Sequence, residues 1–158
     1  MITRKSSRAI IVNKQNQIFL FRYEFDFFAE RKAIWITPGG GLEEGESFED
    51  GLKRELFEEL GIKLTEPAPF VYYRTPLYEL QGGETVRSEE RFYLIFCNDT
   101  GFSYDSWTES EQKRMTAGKW WSVEEIRQSE EEFFSKDVVG ILDRISKGEI
   151  PKEPEELA

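Results

Sequence analysis

Glu55, Glu58 and Glu59 stand at i, i+3 and i+4, a short distance after three consecutive glycines, Gly39–Gly41. Carboxylates at that spacing share one face of a helix, and like charges four residues apart repel by a few tenths of a kcal/mol. A charge run is usually a solvated face, but these acids are placed differently. At 100° per residue, Glu55 and Glu59 fall beside Leu52, at the margin of the helix's apolar stripe. They therefore meet the rest of the domain. Three convergent carboxylates suit a hard divalent cation with oxygen ligands, such as Mg²⁺ or Mn²⁺. Glycines let the backbone approach a ligand closely, so a loop carbonyl can join the same site. A phosphate-cradling P-loop is excluded, because no Gly-Lys-Ser/Thr follows the glycines. The chain has no histidine. That removes the commonest general base, and with it Ser-His-Asp and Cys-His nucleophilic catalysis. Carboxylates, Lys, Arg, Tyr or a bound ion must carry any chemistry.

The helix that positions these acids is well specified. Ser47 is an N-cap residue with Asp50 three positions on, a variant of the capping box. Leu52, Leu56 and Leu60 recur every four residues, and Gly61 supplies a left-handed stop. The spacing predicts a helix from Phe48 to Leu60. Before it, "AIWIT" (33–37) predicts a strand ending at Pro38.

The stretch from Gly40 to Ile62 resembles the signature of the Nudix (MutT-like) hydrolase family, G-x5-E-x7-R-E-U-x-E-E-x-G-U, with U a bulky aliphatic residue. Gly40, Glu46, Arg54-Glu55-Leu56, Glu58-Glu59 and Gly61-Ile62 fill it without departure. The later "KWWSVEEI" is also similar to a strand-to-helix ending common in that family. The resemblance implies an α/β/α sandwich with a mixed β-sheet, and hydrolysis of a diphosphate joined to another moiety, X. It implies Glu55, Glu58 and Glu59 as metal ligands with the Gly40 carbonyl assisting and Gly39 beside it at the substrate. Mg²⁺ or Mn²⁺ is the implied cofactor, and one of the three glutamates doubles as the base. Arg54 and Glu46 are implied to hold the loop against the helix through an ion pair. A further metal-binding glutamate from a distant loop is expected at Glu111 or Glu109, with Glu89 and Glu90 as rivals.

Substrate contacts are less sharply marked. Arg22 follows the apolar run "IFLF" and can reach a phosphate; Arg31, Lys32, Arg74, Arg87 and Arg91 are alternatives. Phe25 belongs to an aromatic cluster with Tyr23, Phe27 and Phe28 on which a base could stack, although core packing or a dimer face explains such a cluster equally well. The box leaves X open: a nucleotide sugar, ADP-ribose, a dinucleoside polyphosphate or a nucleoside triphosphate all fit. A non-catalytic nucleotide-sensing module is the alternative, against which stand the three mutually repelling glutamates. Isoprenoid diphosphate isomerisation would want a catalytic cysteine, whereas the single cysteine, Cys97, falls in the strand-like "FYLIFC".

The remaining sequence bounds the setting. A length of 158 residues predicts one domain. We expect it over 1–150, followed by an acidic, Pro-interrupted and loosely ordered tail at 151–158. The 39% hydrophobic share is modest, but 13 Phe, 6 Tyr and 4 Trp supply large buried areas. A net charge of −10 disfavours a nucleic-acid polymer as partner. It leaves a small nucleotide-type substrate, with cations mediating. No apolar run is long enough for a membrane helix, and no signal peptide is recognisable, so cytoplasmic residence is expected. The aromatic content permits a homodimer. A first hairpin (8–12 and 17–23) is predicted, with strands at 70–75, 90–98 and 118–123. A loop is expected over 100–115, and terminal helices follow Ser122 and at 137–147.

Overall fold

A computed structural model of the chain describes residues 2–25, 32–97 and 115–157. The centre of the fold is β1 (Ile2–Val12), whose last four residues are apolar without a break and fully or almost fully buried. An unbroken apolar run of this kind belongs to a strand covered on both faces. Its side chains alternate accordingly: Ala9 and Ile11 enter one core, Ile10 and Val12 the other.

A turn at 13–17, closed by Asn13 Oδ1 accepting from the amides of Gln15 and Gln17, leads into β2 (Ile18–Phe25). β3 (Lys32–Ile36) pairs antiparallel with β2, and β4 is the glycine triplet Gly39–Gly41. The helix α1 (Phe48–Leu60) has the predicted ends: Ser47 Oγ accepts from the Asp50 amide, and Gly61 adopts φ 69°. β5 (Phe70–Arg74) and the short β6 (Leu77–Glu79) precede β7 (Thr85–Phe96). β7 lies parallel to β1 along its whole length, from Ile2 opposite Val86 to Val12 opposite Phe96. β8 (Met115–Trp121) then pairs antiparallel with β2. Ser122 and Glu125 complete a reciprocal capping box that opens α2 (Val123–Gln128), and α3 (Val138–Ser146) follows. A last short strand, β9 (Glu155–Glu156), completes the sheet, whose order is β3-β2-β1-β7-β5-β9, with β4, β6 and β8 pairing off this path.

The sheet is mixed and lies between helices, giving the α/β/α sandwich. On one face Leu52, Leu56 and Leu60 of α1 pack on Ala9, Ile11, Phe19, Phe21 and Tyr93. On the other, Ile126 of α2 and Val138, Ile141, Leu142 and Ile145 of α3 pack on Ile10, Leu20, Phe92 and Leu94. Trp120 and Trp121 divide between the two faces: Trp121 is buried on the α3 side and Trp120 packs on the α1 side. Cys97 is half-buried just past the end of β7. Among the described residues, no helix is long and apolar enough to cross a membrane.

The C-terminal segment departs from expectation. Rather than being loosely ordered, residues 155–156 form β9, parallel to β5 with Tyr72 opposite Glu155 and Tyr73 opposite Glu156. The Leu157 amide donates to the Tyr73 carbonyl at 2.9 Å, and its side chain enters the α3-side core. Composition reads this tail as solvated because its charges dominate. An edge strand needs only its backbone, however, and both glutamate side chains stay exposed while one leucine anchors the segment. Replacing Leu157 by Ala should cost about 2 kcal/mol and lower the melting temperature by roughly 5 °C. A melting curve identical to that of the parent protein would show that the anchor contributes nothing.

Candidate active site

The glycine triplet is held against β1. The Ala9 amide donates to the Pro38 carbonyl at 2.8 Å. Gly39, Gly40 and Gly41 then lie opposite Arg8, Ser7 and Ser6. Two of these positions admit no side chain. Gly39 has φ 131°, and a Cβ there would come within 2.0 Å of the Ser7 carbonyl oxygen. A Cβ on Gly40 would lie 2.7 Å from Glu55 Oε1. The glycines thus bring bare backbone against carboxylates of α1, and the Gly39 amide donates to Glu59 Oε1 at 2.6 Å. The start of α1 is fixed to the same strand, because Ser7 Oγ donates to the Phe48 carbonyl at 2.6 Å.

The three glutamates differ in exposure, as their angular positions imply. Glu55 and Glu59 are buried, at 8% and 4% exposure, whereas Glu58 is half-buried. Burying a carboxylate is expensive unless it is paired, and Arg54 supplies much of the pairing. Its guanidinium grips both oxygens of Glu46 at 2.9 Å. It also donates to Glu55 Oε1 at 2.9 Å, Glu58 Oε2 at 3.2 Å and the Gly41 carbonyl at 2.9 Å. The fork geometry of arginine makes this multiple engagement feasible where lysine would not. The hydrogen bond to Glu46, ahead of the nearby Glu55 charge, pushes the Arg54 pKa above its ordinary value. The same bond holds the Glu46 carboxyl below the usual carboxylate range. Glu46 also accepts from the Glu43 amide at 3.0 Å, closing the loop that enters α1.

Sequence spacing foresees the Arg54–Glu46 pair, and the structure brings it together. The Arg54–Glu58 contact is an i,i+4 pair of the ordinary helical kind, whereas the reach of Arg54 to Glu55 and to the Gly41 carbonyl has no such signal in the spacing. As the chain stands, no three acidic side chains among the described residues are grouped ready to hold a metal ion; the Arg54 guanidinium bonds two of the three glutamates. The donor chemistry nevertheless fits a hard cation. Oxygens of Glu55 and Glu59 meet a loop whose glycines leave room where a Cβ would collide with Glu55, and Glu58 joins them through Arg54.

The outlying candidates are spread more widely. Glu111 and Glu109 lie outside the described residues, as do Phe27, Phe28 and Arg31. Glu90 is buried on the opposite face of the sheet from α1, where Arg74 Nε donates to it at 2.9 Å. The structure therefore gives two separate candidates, Arg74 and Glu90, to each other. Glu89 is half-buried and, by strand alternation, on the α1 side. Arg22 pairs with Glu24 at 3.0 Å and approaches Glu131 at 3.7 Å. Arg91 stacks over Phe48, 4.0 Å from the ring centre. Phe25 lines a cavity on the α3 side of the sheet, together with Ile34 and Ile36.

Comparison with known proteins agrees with this geometry. An RNA pyrophosphohydrolase of Wolbachia pipientis (strain wPip) is 28% identical over 156 residues, covering 89% of this chain and 90% of that protein. A nucleoside triphosphatase, NudI, of Escherichia coli is 42% identical over 69 residues, covering 39% of this chain and 45% of that protein. Against a putative nudix hydrolase of Caenorhabditis elegans, 27% identical, the chain spans only 26% of the relative's length. Among solved structures, an ADP-ribose pyrophosphatase of Streptococcus suis superposes with a TM-score of 0.61 at 18% identity, covering 97% of this chain and 98% of that one. A MutT protein of Methanosarcina mazei gives a TM-score of 0.57 at 24% identity, covering 92% and 96%. These two likenesses carry the fold. The NUDIX domain description matches residues 3–139, nearly the whole chain, and so the chain belongs to the Nudix family.

Proposed function

We propose that the chain hydrolyses a phosphoanhydride bond in a nucleoside diphosphate linked to another moiety, with Mg²⁺ or Mn²⁺ as cofactor. The observation that carries this reading is the burial of Glu55 and Glu59 against the glycine loop, with Glu58 beside them and more exposed. A helix under structural demands alone gains nothing from three acids that repel one another. Glu55, Glu58 and Glu59 would hold the cation, with the Gly40 carbonyl and a distal glutamate, Glu111 foremost, completing its shell. Bound there, the ion supplies neutralising charge for the diphosphate and lowers the pKa of water.

The chain's own groups do the rest. Glu58 is the general base, because it alone of the three is open enough to meet a water, and no histidine competes for that role. The Gly39 amide fixes the Glu59 carboxylate, and Glu46 fixes Arg54 from the far side. Arg54 keeps Glu55 and Glu58 paired while no cation is bound, and a divalent ion would compete with it for those oxygens. In a protein with a net charge of −10, such an ion would also ease the approach of an anionic substrate. Arg22, Gly39 and Phe25 are proposed on the substrate side. The substrate is a small nucleotide rather than a nucleic-acid polymer.

The test is turnover against ADP-ribose, nucleotide sugars, dinucleoside polyphosphates and nucleoside triphosphates, with released phosphate followed in Mg²⁺ or in EDTA. Cleavage of one class, abolished by EDTA, is expected and names X. Tight binding of a member with no cleavage of any would favour a sensing module instead. Glu58→Gln should lower kcat by at least about 100-fold while the melting temperature stays within about 2 °C, since shape is preserved. Glu59→Gln should also stop turnover, because the amide oxygen still accepts from Gly39 but the charge is gone. Full activity of both variants in Mg²⁺ would refute the metal-site assignment.

A further inference from the structure

The cavity on the α3 side of the sheet has a volume of about 570 Å³, which suits a nucleotide-sized ligand. Its walls include Phe25, Ile34, Ile36 and Phe133, and its rim reaches Gly41, whose carbonyl binds Arg54. Four cations, Arg4, Lys5, Arg8 and Arg74, line it together with three acids, Glu79, Glu90 and Glu132. Some of the polar groups in the cavity are already engaged. Arg74 is paired with Glu90, and Arg8 Nη1 donates to the Gly39 carbonyl at 3.0 Å.

Two buried donors stand out. Ser6 is buried to 6% exposure, yet among the described residues its Oγ has no hydrogen-bond partner, and the buried Nε of Arg8 has none either. Both residues sit on the β1 wall of the cavity, two positions apart and therefore on one face of the strand. Their backbones lie opposite Gly41 and Gly39, so these donors flank the same loop that abuts the glutamates. A buried polar atom without a partner costs roughly 1–3 kcal/mol. The fold makes no use of this one, since Ser7, the next residue, already ties β1 to α1.

We infer that Ser6 Oγ and Arg8 Nε are specificity-determining donors, which bind an oxygen acceptor on the nucleotide moiety of the substrate when it occupies this cavity. Arg8 Nε can only donate, so the atom facing it must be an acceptor: a phosphate oxygen, or a keto or hydroxyl oxygen of the nucleoside. The inference rests on the proposed hydrolysis of nucleotide derivatives, but its test does not require hydrolysis.

Binding of nucleoside monophosphates, of free nucleosides and of inorganic phosphate would be measured by calorimetry in EDTA. Wild type and Ser6→Ala would be compared. A monophosphate should bind Ser6→Ala roughly tenfold more weakly than wild type, the loss expected for one hydrogen bond to a charged or buried partner. The melting temperature of Ser6→Ala should not fall, because an unpartnered hydroxyl is removed, whereas a structural serine would lower it. If phosphate alone shows the Ser6 dependence, the acceptor is a phosphate oxygen; if nucleosides alone show it, the acceptor lies on the base or sugar. Equal affinity of wild type and Ser6→Ala for all three ligands, or no binding of any of them to wild type, would overturn the inference. A failure of hydrolysis with Ser6-dependent binding intact would count against the proposed reaction only.

Discussion

The site depends on a close approach between backbone and carboxylate. Gly39 and Gly40 stand where any side chain would strike the Ser7 carbonyl or Glu55. Only bare backbone lets the loop lie between β1 and α1. Once there, the Gly39 amide neutralises part of the cost of burying Glu59, and Arg54 does the same for Glu55. The helix and the loop therefore need each other. Without the loop, two buried carboxylates lose partners; without the carboxylates, the loop keeps its pairing with β1 but the Gly39 amide loses its acceptor.

One strand serves both sides of the sheet. Ser7 turns to α1 and bonds the Phe48 carbonyl. Ser6 and Arg8 turn to the cavity on the other face. The glutamates of α1 and these two residues are thus separated by the thickness of the sheet, yet both sides reach the glycine edge, where Arg8 bonds the Gly39 carbonyl and Arg54 the Gly41 carbonyl.

Much of this was legible in the sequence. Capping residues and the four-residue leucine repeat fixed α1 to the residue, and the 100° projection placed Glu55 and Glu59 at the buried margin. These are local signals, and local physics decides them. The first hairpin was visible for the same reason. The long parallel pairing of β1 with β7 was not, because residues far apart in sequence decide it. β1 accordingly extends to Ile2, well before the apolar run that announces it. The docking of Leu157 was hidden by a charged composition, since one leucine and an edge backbone outweigh several solvated glutamates. The mutual capture of Arg74 and Glu90 was hidden too, as each reads singly as an exposed charge.

The central claim is that Glu55, Glu58 and Glu59 form a cation site built on the glycine loop. The most direct measurement is Mn²⁺ binding to the full chain, followed by electron paramagnetic resonance, for the wild type and for Glu55→Gln and Glu59→Gln. The account predicts saturable binding to wild type that weakens at least about tenfold in each variant while the fold is retained, as expected when a charged oxygen ligand is lost. Unchanged Mn²⁺ affinity in both variants would contradict it.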